Sequence, residues 1–339
     1  MKAIQLSEYV SGPHELRVTT LPTPTPSSKQ YLIRIEAAAA NFFDLLQIRG
    51  KYQHQPPFPF ISGSEFAGRI ISTPTASKSP KFSPGDLVFG ASQGAYATHI
   101  LAPEASLRLV PKRWTCEEAA GLMVTAPTSY AGLVTRAGIK AGDFVLIHAA
   151  AGGVGLAAVQ IAKAFGATVI ATAGTEAKLQ IAKDFGADYG INYKDNKNWF
   201  NQVKKLTPGQ KGVDIVYDPV GMIGPSMKCA AWNARLLVIG FAGGEIEKLA
   251  LNRVLLKNVS VVGLHWGMYA KMEPETMEVV WDGLYKLMEE GKFKSTGFNG
   301  REFKGLKKVG EALIALGGRE TWGKVIVKVE DEDSEKSKL

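Results

Sequence analysis

From Met1 to about Leu122 the apolar residues fall in short runs, at 31–35, 67–71, 87–89 and 97–101, separated by proline and glycine. Runs of that length between turn residues predict strands, so the first part of the chain reads as β-rich. The stretch 73–86 is rich in Pro, Ser and Lys and predicts a surface loop leading into a turn at Pro84-Gly85. Beyond Leu122 the texture changes. Apolar strand-like runs at 144–148 and 168–171 alternate with helical stretches at 156–165 and 177–185, and further strand candidates follow at 215–217, 236–239 and 259–262. Strands alternating with helices indicate βαβ units and a doubly wound parallel sheet, an α/β class. Apolar residues recur at helical spacing over 275–288, a second helix is predicted over 305–316, and a strand over 324–329 ends the ordered chain.

Composition narrows the class. A length of 339 residues predicts two domains, and 45% apolar against 21% charged residues leaves enough side chain for two cores and excludes global disorder. No run approaches the roughly 20 apolar residues of a membrane span. Residues 1–10 lack the apolar core of a secretory leader, so a soluble intracellular protein with no membrane partner is expected. Only Cys116 and Cys229 are present, which excludes a disulfide framework and a Cys-rich zinc site within the chain. Lys and Arg total 40 against 32 Asp and Glu, and this net +8 favours an anionic ligand such as a phosphorylated cofactor. No block of basic residues is interleaved with aromatics, so nucleic acid is not the leading partner.

The strongest local signal is His148-Ala149-Ala150-Ala151-Gly152-Gly153-Val154-Gly155-Leu156, which a predicted strand enters and an apolar helix leaves. That is the context a dinucleotide-binding glycine turn requires. Gly152 lets backbone approach a pyrophosphate, Gly155 lets helix and strand pack closely, and Gly153 and Val154 belong to a helix start with free N–H groups. Ala150 replaces the first glycine of the fingerprint. An enzyme that binds both ribose hydroxyls of NAD usually places an acid about 20 residues further on, at the end of the second strand. Here Gly174 and Thr175 occupy that place, with Glu176 close by and Lys178 following. A glycine in place of the acid leaves room for a 2′-phosphate that a lysine can neutralise, so NADPH is preferred to NADH.

Further motifs lie along nearly the whole chain: Asn41-Phe42-Phe43-Asp44 with Arg49-Gly50, Gly63-Ser64-Glu65-Phe66-Ala67-Gly68, Pro84-Gly85-Asp86, Asp214-Ile215-Val216-Tyr217-Asp218 and Gly240-Phe241-Ala242-Gly243-Gly244. In this order and spacing the chain resembles the quinone oxidoreductase branch of the zinc-independent medium-chain dehydrogenases/reductases. The resemblance implies a GroES-like β-rich catalytic domain plus a doubly wound Rossmann domain, with the cofactor cleft at their junction. Residues 1–124 and 267–329 would form the catalytic domain, 125–266 the Rossmann domain, and 330–339 a flexible tail. It also implies a homodimer, formed by strand pairing between Rossmann domains.

Zinc-dependent relatives carry a metal-binding Cys where this chain has Asn41 and a metal-binding His where it has Ser64, so no metal is expected. Without a Lewis acid, direct alcohol oxidation is disfavoured, whereas a quinone or an enone can take hydride with help from hydrogen bonds alone. By resemblance, Asn41 and Thr128 lie near the nicotinamide and Tyr52 lines the substrate side. Lys178, Tyr193 and Arg319 match positions that contact the 2′-phosphate, and Phe241 and Gly243 border the nicotinamide ribose. Some relatives have a tyrosine at the position of Leu46. The expected chemistry is hydride delivery to an electron-poor carbon, with Asn41 and Tyr52 donating hydrogen bonds to the carbonyl and Tyr52 or water giving the proton.

None of His14, His54, His99, His148 and His265 pairs with Cys or acidic residues at metal spacing, and His148 reads as a packed polar residue. Trp266 and Tyr269 are candidates for closing the far side of the cleft. The final residues, Ser337-Lys338-Leu339, match the tripeptide read by the peroxisomal import receptor, so a peroxisomal address is expected, otherwise a cytoplasmic one. Two other functions stay open: an enoyl-thioester (enoyl-CoA) reductase, and a non-enzymatic NADPH-responsive RNA-binding protein.

Overall fold

The computed structural model describes residues 1–330, so the tail from residue 331 and its Ser337-Lys338-Leu339 lie outside the described residues. The chain divides into two compact units, one of Met1–Val124 with the segment from Ser295 onward, the other Thr125–Lys294.

The first unit is built on a seven-stranded sheet in the order Phe303–Lys304, Val325–Lys328, Gln30–Ala40, Glu65–Ser72, Leu87–Ala91, Leu107–Leu109, with His99–Pro103 also paired to Gln30–Ala40. Gln30–Ala40 is its axis. Its burial alternates from Gln30 to Glu36 and then becomes continuous over Ala37, Ala38, Ala39 and Ala40. There the sheet is covered on both faces, and the alanines leave room for helices Cys116–Ala119 and Val309–Gly317 to approach. The loop expected at 73–86 is present, but Phe82 is pulled into the core edge-on to Tyr31, whose hydroxyl accepts its N–H at 3.3 Å.

The second unit is a six-stranded, wholly parallel sheet in the order Tyr189–Asn192, Thr168–Ala173, Phe144–Ile147, Val213–Asp218, Ala230–Val238, Ser260–Gly263. The strand at 189–192 is absent from the sequence expectation because Gly190 and the exposed Tyr189 blur its pattern. The order runs outward from Phe144–Ile147 in one direction and then in the other, so the switch point lies between that strand and Val213–Asp218. Open parallel sheets bind ligands beyond the carboxyl ends of strands at such a point.

Helix Pro274–Glu289 belongs to this second unit, so the boundary falls after residue 294 rather than after 266 as expected. The reason is packing. Val280, Trp281, Leu284, Leu287 and Met288 form its buried face, and Tyr130 lies so tightly on Gly283 that a Cβ there would stand 2.1 Å from the Tyr130 hydroxyl.

Candidate functional site

In the second unit the backbone leaves Phe144–Ile147 through His148 and turns before helix Gly153–Ala164. Ala149, not a glycine, adopts the left-handed conformation of this turn, with φ of 46°. Gly152 is the N-cap and accepts Leu156 N–H at 2.8 Å, and no side chain caps the helix start. The N–H groups of Gly153, Val154 and Gly155 are the orphan donors of the first turn, the arrangement that receives an anion. Gly155 is obligatory here, because a Cβ would stand 2.3 Å from Ala149 O and 2.8 Å from the Ala150 backbone. Its close contact is therefore with the turn itself.

Ser129 and Glu247, which the sequence reading did not single out, help to fix this end of the sheet. Ser129, beside the half-buried Thr128 on helix Leu122–Tyr130, donates to Val154 O at 2.8 Å and pairs with Tyr217 Oη at 2.9 Å. Asp218 Oδ1 accepts Val220 N–H at 2.8 Å and Gly221 N–H at 3.0 Å, and Met222 N–H bonds to the other oxygen. Glu247 accepts Ile223 and Gly224 N–H at 2.7 and 3.1 Å. The Phe241 loop is tied to the same turn, with Gly243 N–H bonded to Val220 O and a Cβ at Gly243 only 2.7 Å from that oxygen. Phe241 is left 40% exposed. His148 is buried, with Thr172 and Ser226 hydroxyls at 2.8 and 2.7 Å, and burial pushes its pKa down to about 3. It is a satisfied neutral packing residue.

At the end of the second strand, Gly174 and Tyr193 meet: a Cβ at Gly174 would lie 3.0 Å from Tyr193 Oη. Lys178 stands in the first turn of helix Glu176–Asp184, its N–H capped by Thr175 Oγ1. The free N–H cluster, the missing acid and this glycine with tyrosine and lysine around it fit an adenine dinucleotide bearing a 2′-phosphate. Arg319 belongs to the other unit, at the left-handed residue following helix Val309–Gly317, with φ of 59°.

In the first unit, Asn41 precedes helix Phe42–Gln47 and is only 5% exposed. Its Nδ2 donates to Glu65 Oε2 at 3.0 Å and to Ala39 O at 3.4 Å, and its Oδ1 accepts from Lys324 Nζ at 2.6 Å. Both amide hydrogens are thus taken up inside the protein, whereas the sequence reading has them facing a substrate carbonyl. Here Asn41 organises a buried charge cluster. Glu65 also binds Lys324 Nζ at 2.9 Å and accepts Val124 N–H at 2.9 Å. Asp44 accepts Asn41 N–H and the Tyr96 hydroxyl on one oxygen, while the other has no partner. Burial pushes the Asp44 carboxyl up to about 6. Tyr52 stacks on Phe43 with ring centroids 5.2 Å apart, and burial together with the Asp44 charge raises its phenol above the ordinary range.

Two family models match the chain: the alcohol dehydrogenase GroES-like domain over residues 27–112, and the zinc-binding dehydrogenase over residues 153–282. The quinone oxidoreductase-like protein 2 homolog of Nematostella vectensis is 35% identical over 310 residues, covering 90% of this chain and 83% of that protein. The Escherichia coli quinone oxidoreductase complexed with NADPH matches with a TM-score of 0.84 at 27% identity, covering 97% of this chain and 100% of the other. The CurK enoyl reductase gives 0.85 at 26% identity, covering 97% and 99%.

A zinc ion does not fit the donors present. The Asn41 side chain is spent on Lys324 and Glu65, and Ser64 offers a neutral hydroxyl. Among the described residues no three His, Cys, Asp or Glu side chains are placed to hold a metal. The dinucleotide cradle does fit. The chain belongs to the quinone oxidoreductase family of the medium-chain dehydrogenases/reductases and is an NADPH-dependent oxidoreductase.

Proposed function

We propose that this protein reduces quinones or α,β-unsaturated carbonyl compounds with NADPH and without zinc. The observation that carries the reading is Tyr52, a half-buried phenol held against Phe43 whose pKa is raised by burial and by Asp44. Such a phenol is protonated at neutral pH, so it is a donor and not a base. When bound, the cofactor supplies a hydride to an electron-poor carbon of the acceptor. Tyr52 donates a hydrogen bond to the oxygen on which negative charge develops, and it or water supplies the proton. Asn41, Glu65 and Lys324 hold the loop and helix that carry Phe43. The free N–H groups at Gly153, Val154 and Gly155 bind the pyrophosphate, with Gly152 at the N-cap, and Lys178, Tyr193 and Arg319 bind the 2′-phosphate.

The test is oxidation of NADPH at 340 nm with 9,10-phenanthrenequinone, a small enone and an enoyl-CoA, each repeated with NADH and with a metal chelator. Chelator-resistant turnover that prefers NADPH supports the reading; NADPH binding with no turnover of any acceptor overturns it. Enoyl-CoA as the preferred acceptor would establish the second reading, an enoyl-thioester reductase, which the similarity to an enoyl reductase favours.

The same proposal includes a homodimer. Ser260–Gly263 is the open edge of the six-stranded sheet, and Leu251, Leu255 and Leu256 on the preceding helix are all more than 70% exposed. An edge strand beside an uncovered apolar surface invites pairing with a second copy. A monomer mass by light scattering would overturn it. Ser337-Lys338-Leu339 serves as an import signal wherever it ends the chain, and a fluorescent protein given those residues at its C-terminus should enter peroxisomes.

A further inference from the structure

Gly174 is covered by two side chains, not one. Besides Tyr193 Oη, Lys194 Cε would stand 3.1 Å from a Cβ built on Gly174. The direction of Lys194 is set locally. Its N–H donates to Asn192 Oδ1 at 3.1 Å, while Asn192 Nδ2 donates to Asp195 Oδ2 at 2.7 Å. Asn192 itself is paired in register with Ala173, so the turn is anchored to the end of the second strand. The stem of Lys194 therefore runs across the glycine that occupies the place of a ribose-binding acid. Its ammonium group makes no ion pair or hydrogen bond among the described residues, and Asp195, the adjacent acid, is already taken by Asn192. Lys178 lies in the first turn of the helix Glu176–Asp184, which begins just after the same strand end.

We propose that Lys194 is a second cation of the 2′-phosphate cradle and a determinant of the preference for NADPH over NADH. This rests on the NADPH reading of the site. A phosphomonoester carries nearly two negative charges at neutral pH, more than one lysine neutralises. One lysine from the helix that follows Gly174 and a second from the turn that covers it would together match that charge, and an uncharged 2′-hydroxyl gains nothing from the second. Any larger residue at 174 would displace the stem, which ties the glycine and the lysine to one task.

The experiment is equilibrium binding by the intact protein of NADPH, NADH, 2′,5′-ADP and 5′-AMP, followed by fluorescence and calorimetry, for the wild type, Lys194→Gln and Lys194→Arg. Lys194→Gln should weaken NADPH and 2′,5′-ADP about tenfold and leave NADH and 5′-AMP unchanged, and Lys194→Arg should retain the wild-type ratio. A Lys194→Gln protein that keeps the wild-type ratio overturns the assignment, as does equal weakening of all four ligands. A wild type that binds 2′,5′-ADP no better than 5′-AMP would instead overturn the NADPH reading itself, so the two failures are distinct.

Discussion

Lys324 Nζ lies 2.9 Å from Glu65 Oε2 across 259 positions of sequence, with the two side chains 4% and 0% exposed. The pair is completed by Asn41, which bonds to both partners, and by Val124 N–H on the second Glu65 oxygen. A buried pair adds little net stability when complete, but removing one member strands the other charge. Lys324→Met should therefore lower the stability of the first unit by about 3 to 5 kcal/mol, and Lys324→Met with Glu65→Leu should recover most of the loss. Urea midpoints for the single and double variants check this. A single variant as stable as the wild type would count against a stranded buried charge.

Asp44 gives a pH dependence of known sign. Its carboxyl is raised from 3.8 to about 6 by burial, so the folded state holds the proton more tightly than the unfolded chain. Its contribution is neutral below about pH 4, becomes progressively destabilising up to about pH 6 and stays constant above, reaching about 3 kcal/mol. The stability of Asp44→Asn relative to wild type should move in the variant's favour by that order between pH 4 and pH 7. Thermal melts across this range measure it, and a difference independent of pH counts against a raised Asp44.

The glycine turn yields a pair of opposite expectations. Ala149 is left-handed at φ 46°, which costs an alanine about 1 kcal/mol that glycine does not incur, so Ala149→Gly should raise the melting temperature of the second unit. Gly155→Ala would set a methyl group 2.3 Å from Ala149 O, force the turn open and weaken NADPH binding about tenfold or more. Calorimetric titration with NADPH alongside the melts separates the two.

Cofactor choice has its own test. Lys178→Ala combined with Arg319→Ala removes two positive charges that an uncharged 2′-hydroxyl does not need, and should raise the KM for NADPH by about a hundredfold with little change for NADH. Equal losses for both cofactors would remove this account of the preference.

The alternation of strands and helices beyond Leu122 and the glycine turn were legible because each depends on residues near in sequence. The strand Tyr189–Asn192 was not, since an edge strand of four residues with a glycine carries no clear alternation. The helix Pro274–Glu289 was legible as a helix, but its partner was not, because nonlocal packing such as the fit of Tyr130 onto Gly283 assigns it to the second unit. Lys324 gave no signal as a buried cation, because a lysine ahead of Val325 reads as the polar end of a strand. Gly121 makes room for it, a Cβ there standing 2.8 Å from Lys324 Cβ, and no local pattern marks that glycine. The resemblance places the Asn41 amide toward the substrate, whereas its partners in the fold are Glu65 and Lys324, both distant from it in sequence.

The pairing of Ala37, Ala38, Ala39 and Ala40 with Lys328, Val327, Ile326 and Val325 also sets a schedule for biosynthesis. The contiguous segment 125–294 is complete before the ribosome delivers Val325–Lys328. At roughly 5 to 20 residues per second, the inner edge of Gln30–Ala40 waits on the order of tens of seconds for its partner. During that interval a bare, alanine-rich strand edge is open to any neighbouring nascent chain. A ribosome that stalls short of residue 324 would release a protein whose nucleotide-binding half is finished and whose other half is adhesive.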